Sequence, residues 1–149
     1  MPIYDGFSEP EMNSPATPAK PVWRRWFGAR SEQAAERFLT NLGYKVLARN
    51  YTCPFGELDL VAEDQGCIVF IEVRSTERND SDRPAASVGS AKQLRLTKLA
   101  LHFLQSHDLL GRAARFDVLA LSWPAGRKVP TIDHYQSAFE ASNRLESFF

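Results

Sequence analysis

The stretch from Gly56 to Arg74 limits the fold more than any other, because it sets carboxylates into what otherwise reads as a pair of apolar strands. Leu58, Leu60 and Ala62 alternate with Glu57 and Asp59, and the β-branched and aromatic run Ile68-Val69-Phe70-Ile71 follows an Asp64-Gln65-Gly66 turn signal. Successive strand residues face opposite sides, so Glu57 and Asp59 share one face, and Glu72 shares its own with Ile68 and Phe70. An ionised carboxylate in a buried strand needs a partner.

Register decides whether these acids meet. A two-residue turn at Gln65-Gly66, or a four-residue loop, sets Asp59 opposite Glu72 at a Cβ separation of roughly 5 Å. A three-residue turn without a bulge shifts the pairing by one and sends them to different faces. Converging carboxylates repel, and a hard divalent cation such as Mg²⁺ or Mn²⁺ relieves the repulsion. Arg74 projects to the same side as Glu72. Carboxylates beside a cation make a site suited to phosphoryl transfer, where a metal activates water and the cation steadies developing negative charge. The plainer reading of the same pattern is a solvent-facing sheet surface.

The chain's 149 residues, 44% of them hydrophobic, suffice for one domain with a proper core. Zero formal charge argues against a generally basic coat, so any nucleic-acid contact must come from a local patch. Cys53 and Cys67 lack CxxC spacing and disulfide-scaffold density, which suits a reduced, cytoplasmic chain. No apolar run has the length of a membrane span or a signal-peptide core.

In chain order, residues 1–21 are rich in proline, serine, threonine and acids, and read as a disordered tail ahead of a domain over 22–149. Trp23-Arg24-Arg25-Trp26-Phe27 mixes rings with cations, a combination that either stacks on bases or docks the chain's entry onto the domain. A helix is expected from an N-cap at Ser31, with Ala34, Ala35, Phe38, Leu39 and Leu42 on its apolar side and Gly43 ending it. Glu32 falls in its first turn, where a carboxylate answers the helix dipole.

Tyr44 to Arg49 reads as a first strand, and the acid-bearing hairpin follows. Ser75 to Ser90 is a polar loop leaving the site. A second helix is expected over Ala91–Gln105, and its Lys92, Arg95 and Lys98 fall on one arc that can track a phosphate backbone or simply face solvent. Phe116 to Leu121 forms a buried strand, followed by a short strand over Thr131–Tyr135 and a closing helix over Ala138–Leu145. His102, His107 and His134 have no metal-ligand spacing and read as structural. The order helix, three strands, helix, strand gives an α/β domain with a mixed sheet.

Gly28, Glu32 and Ala35, then Gly43-Tyr44, Asn50, Gly56 to Leu60, Phe70 to Val73, Lys92, Arg115 to Val118 and Ala138-Phe139 together resemble the YraN family of bacterial proteins. The resemblance runs from Gly28 to Phe139 and implies a restriction-endonuclease-like fold of the PD-(D/E)XK superfamily. By that resemblance Asp59 corresponds to the metal-binding acid, Glu72 to the acid of the (D/E)XK element and Glu32 to a helix-borne carboxylate, with Glu57 assisting. Arg74 stands where the superfamily has lysine, and arginine does not deprotonate. Leu58 stands where it has proline.

The expected function is that of a Mg²⁺- or Mn²⁺-dependent nuclease acting on DNA, branched or single-stranded forms included. Glu32, Asp59 and Glu72 would hold the metal, Glu57 and Arg74 would join the catalytic group, and Lys92, Arg95 and Lys98 would bind nucleic acid. The alternatives are a non-catalytic nucleic-acid-binding or adaptor protein on the same fold, or a structural partner using the Trp23–Phe27 segment.

Overall fold

A computed structural model describes residues 22–76, 88–126 and 128–141, without the side chains of 22–27 and 76. Helix α1 spans Val22–Asn41, strands β1 Lys45–Cys53, β2 Gly56–Asp64 and β3 Cys67–Thr76 follow, and after helix α2, Ser90–Ser106, come β4 Ala114–Ser122 and β5 Thr131–Phe139. The sheet order is β1-β2-β3-β4-β5. All neighbours are antiparallel except β3 and β4, which run parallel. A parallel pair needs a long crossover, and α2 lies within it.

The two helices cover opposite cores. Ala35 and Leu39 of α1 pack with Leu60, Ala62, Val69, Ile71, Leu119 and Leu121. Leu96, Leu99, Phe103 and Leu104 of α2 pack with Val61, Ile68, Phe70, Phe116 and Val118. Alternate residues of β3 and β4 therefore go to different helices, which is why both strands read as continuous apolar runs. The result is an α/β domain of the restriction-endonuclease-like type, with a mixed sheet flanked by helices. No helix among the described residues is long and apolar enough to cross a membrane.

The hairpin register is settled by its turn. Gln65 (φ 48°) and Gly66 (φ 85°) both take left-handed conformations, the signature of a two-residue type I′ loop, and pairing runs from Asp64↔Cys67 to Leu60↔Ile71. Gly43 (φ 93°) ends α1 as expected, with its N–H donating to Thr40 and that of Tyr44 to Leu39.

Two expected boundaries are corrected. Helix α1 begins nine residues before Ser31, at Val22. No proline lies between them, and Gly28 inside a helix costs only about 1 kcal/mol. Ser31 is buried, and its hydroxyl accepts a hydrogen bond from the Trp123 indole at 2.9 Å. The closing helix is absent where it should begin, since Ala138 and Phe139 extend β5 and Glu140 and Ala141 take no helical conformation, and residues 142–145 lie outside the described residues. Phe139 pairs with Phe116 and stacks on its ring at 4.6 Å, an apolar contact that a helix starting at Ala138 would forfeit. The tail over 1–21, the loop over 77–87 and the side chains of Trp23 to Phe27 also lie outside what is described.

Candidate metal centre

The acids gather where β2 and β3 part. Beyond Leu60↔Ile71 the Val73 N–H is taken by the Asp59 carboxylate, at 2.8 Å, so a side chain occupies the place where the ladder would continue. β2 also rolls here. Leu58 joins the core under α2, whereas Leu60 and Ala62 join the core under α1. This rotation lets Asp59 reach acids on both sides of the sheet.

Carboxylate oxygens of Glu32, Glu57 and Asp59 lie within 4.8 Å of one another. Glu32 comes from α1 and the other two from the start of β2. Asp59 and Glu32 are partly buried, while Glu57 is exposed. Burial pushes the Asp59 carboxyl up to about 7, helped by the charges of Glu72 and Glu32 and opposed by the Val73 N–H and Lys92. One backbone donor does not offset the crowding of like charge.

Glu72 belongs to the same neighbourhood but not to the close trio. Its carboxylate, with 13% of the side chain exposed, is paired with the Lys92 ammonium from α2. Lys92 thus turns inward, away from Arg95 and Lys98, which are exposed on the same helix. A Cβ on Gly56 would come within 3.8 Å of the Arg95 Cδ, so the Arg95 stem passes over the turn that leads into Glu57. Arg74 is partly buried, two residues past Glu72.

The donor set is all carboxylate oxygen, which suits a hard cation such as Mg²⁺ or Mn²⁺. Oxygens on one Mg²⁺ lie at most about 4.2 Å apart, twice a bond of about 2.1 Å. A spread of up to 4.8 Å therefore closes with a small side-chain rotation. The residues fit such an ion.

The sequence from residue 31 to residue 121 matches the model of the uncharacterised protein family UPF0102. The chain belongs to the UPF0102 family. It is 46% identical over 123 residues to a UPF0102 protein of Myxococcus xanthus, covering 83% of this chain and 96% of that protein. A UPF0102 protein of Moorella thermoacetica is 42% identical over 78% of this chain and 97% of its own length. One from Nocardia farcinica is 38% identical over 75% and 87%. This is the family that the sequence resemblance named as YraN, and the matched segment spans Glu32, Glu57, Asp59, Glu72 and Lys92.

By sequence Lys92 falls with Arg95 and Lys98 on one arc of α2, and Glu72 is expected among the metal ligands. In the structure, Glu57 completes the close trio, and Lys92 pairs with Glu72. The separate appearance of Lys92 in the family resemblance, without Arg95 or Lys98, was the signal of its different placement.

A second polar network was not foreseen. Asp117 is fully buried on β4 and accepts from Arg115 Nε at 3.0 Å, His134 Nε2 at 2.8 Å and the Ser137 N–H at 3.0 Å. Arg115 also donates to Tyr44 Oη and Asp64 Oδ2. An aspartate between Phe116 and Val118, in an apolar strand, was the clue.

Proposed function

We propose that this UPF0102 protein is a Mg²⁺- or Mn²⁺-dependent phosphodiester hydrolase that acts in the cytoplasm on DNA, branched or single-stranded forms included. The observation that carries the reading is the convergence of Glu32, Glu57 and Asp59 within 4.8 Å, beside the Glu72–Lys92 pair. Glu32, Glu57 and Asp59 would hold the cation. When bound, such an ion acidifies water and offsets charge on the phosphate.

The protein's own groups do the rest. Asp59 must give up its proton before it ligates, so an acid held near 7 ties function to pH. Glu72 holds the Lys92 ammonium at the edge of the acid cluster, where it can donate to a phosphate oxygen. A lysine is able to exchange a proton, and an arginine is not. Lys92 from α2 thereby supplies what Arg74 lacks, leaving Arg74 to contribute charge. Arg95, whose stem lies over the turn into Glu57, and Lys98 on the same helix would pair with the backbone of the strand being cut.

The rival reading, a nucleic-acid-binding adaptor without catalysis, draws on Arg74 itself. The two part in one experiment. Purified protein is incubated with labelled duplex, single-stranded, flap and four-way DNA in Mg²⁺, Mn²⁺ or chelator, beside Asp59→Ala, Glu72→Gln and Lys92→Ala variants first shown to fold. Metal-dependent cutting lost in all three supports the hydrolase. Binding that ignores metal, with no cutting of any substrate, supports the adaptor.

A further inference from the structure

On the far side of α1 from the acid trio lies an open groove of about 590 Å³, walled by α1, Trp123 and the approach to β5. Three of its lining residues, Arg30, Arg37 and Lys128, are cations, and no acid among the described residues lines it. This concentrates positive charge in a chain whose formal net charge is zero. Arg37 and Lys128 are exposed, and neither has an acidic partner among the described residues. Glu36, the acid next to Arg37 in sequence, is taken by Arg49.

The groove is built. Arg30 lies over the Trp123 ring, 4.1 Å from its centroid, and donates to the Lys128 carbonyl at 3.1 Å. The Trp123 indole is in turn fixed to Ser31 at 2.9 Å. Ser31 directly precedes Glu32 of the trio, so the anchor of the groove and a carboxylate of the site are neighbours on one helix.

The sheet brings the two places to the same end of the molecule. β3 and β4 are parallel with Glu72↔Val118 and Thr76↔Ser122 in register, and Trp123 follows directly. A polyanion whose phosphate sits at Glu32, Glu57 and Asp59 therefore meets the groove on crossing α1. Arg30 and Arg37 are seven residues apart, about 10 Å along a helix rising about 1.5 Å per residue. That is close to three base-pair steps along a duplex axis at about 3.4 Å each.

We infer that the groove lined by α1, Trp123, Lys128 and Pro130 is a second phosphate-binding track, which holds the DNA backbone beyond the cut site through Arg37 and Lys128. The inference rests on the hydrolase reading for the identity of the polyanion. It sets the footprint of the substrate, which has to extend past α1 rather than end at the acids.

The test measures binding without hydrolysis. On an Asp59→Asn background, Arg37→Gln with Lys128→Gln is compared with its parent for affinity to labelled 20-nucleotide single-stranded and 20-base-pair duplex DNA across a salt series. Lys45→Glu, exposed at the opposite end of β1, controls for net charge. Each phosphate contact contributes about 0.7 to 0.9 to the slope of log affinity against log salt. Loss of two contacts lowers the slope by about 1.5 and weakens binding about tenfold at moderate salt, with Lys45→Glu near the parent.

A slope and affinity matching the parent overturn the track. So does a double variant that loses a polyglutamate peptide but keeps DNA, which makes the groove a seat for an acidic protein. A lowered slope in a protein whose Asp59-containing form cuts nothing keeps the track and removes the hydrolase. Intact cutting with an unchanged slope does the reverse.

Discussion

Asp59 and Asp117 are both aspartates set into strands of one sheet, and the fold treats them in opposite ways. Asp117 has no exposed side chain, yet its oxygens receive a guanidinium, an imidazole and a backbone N–H. Asp59 receives one backbone N–H and faces Glu72, Glu32 and Glu57. One acid has been given what it needs to stay buried. The other has been left in repulsion that an added cation would relieve. Where local rules are satisfied at one position and broken at its counterpart, the broken one is the candidate for function.

The largest effect expected from this contrast is at Asp117. Asp117→Ala strips Arg115 and His134 of their shared partner and should cost about 3–5 kcal/mol in urea unfolding, the usual loss when one half of a buried pair is removed. His134→Leu removes one of three donors, and a loss of about 1–3 kcal/mol is expected. A cost near zero at both positions would put Asp117 on the same footing as Asp59.

Asp59→Asn should act in the opposite direction. The amide keeps an acceptor for the Val73 N–H and removes the charge. Between about pH 4 and 7 the folded protein keeps the Asp59 proton that the unfolded chain has lost, so folding stability falls as pH rises through that window and levels off above it. The fall is at most about 1.4 kcal/mol per pH unit. The variant should therefore gain about 1–3 kcal/mol at pH 8, and the gain should vanish near pH 4. A loss at pH 8 would show that the ionised carboxylate is held favourably.

Lys92→Met should have the smallest effect on stability. The ammonium is about one-third exposed, so solvent screens the Glu72 pair and its removal should cost no more than about 1 kcal/mol. DNA cutting in Mn²⁺ should nevertheless fall by orders of magnitude, and Lys92→Arg should not restore it. Restoration by arginine would assign Lys92 to charge alone.

Much of this contrast was legible in the sequence. Gln65-Gly66 between two apolar runs allowed the register that carries Asp59 toward Glu72, although the residues alone left longer loops open. The turn conformation decided it. The acids stood out because carboxylates interrupt strands that otherwise bury both faces.

What the sequence withheld was set by tertiary contact. Ser31 looks like an N-cap, but its hydroxyl serves Trp123, which lies 92 positions away in the chain. Ala138 and Phe139 looked helical until Phe116 offered a ring to stack on. The roll of β2 at Leu58, which brings Glu57 and Asp59 to Glu32 on α1, breaks strict alternation and leaves no local pattern to read. Lys92 sits on a regular basic arc, and only Glu72 on another element tells it apart from Arg95 and Lys98.

The most direct test of the difference between the two acids is thermal unfolding of the wild type and Asp59→Asn, titrated with Mn²⁺ at pH 6 and pH 8. An ion at 100 times its dissociation constant stabilises by about 2.7 kcal/mol, or roughly 5–10 °C for a chain of this size. That rise is expected in the wild type, larger at pH 8 than at pH 6 because the ion no longer competes with a proton on Asp59, with a flat response in Asp59→Asn. Equal shifts in both proteins, or none in either, would contradict a cation site at Asp59.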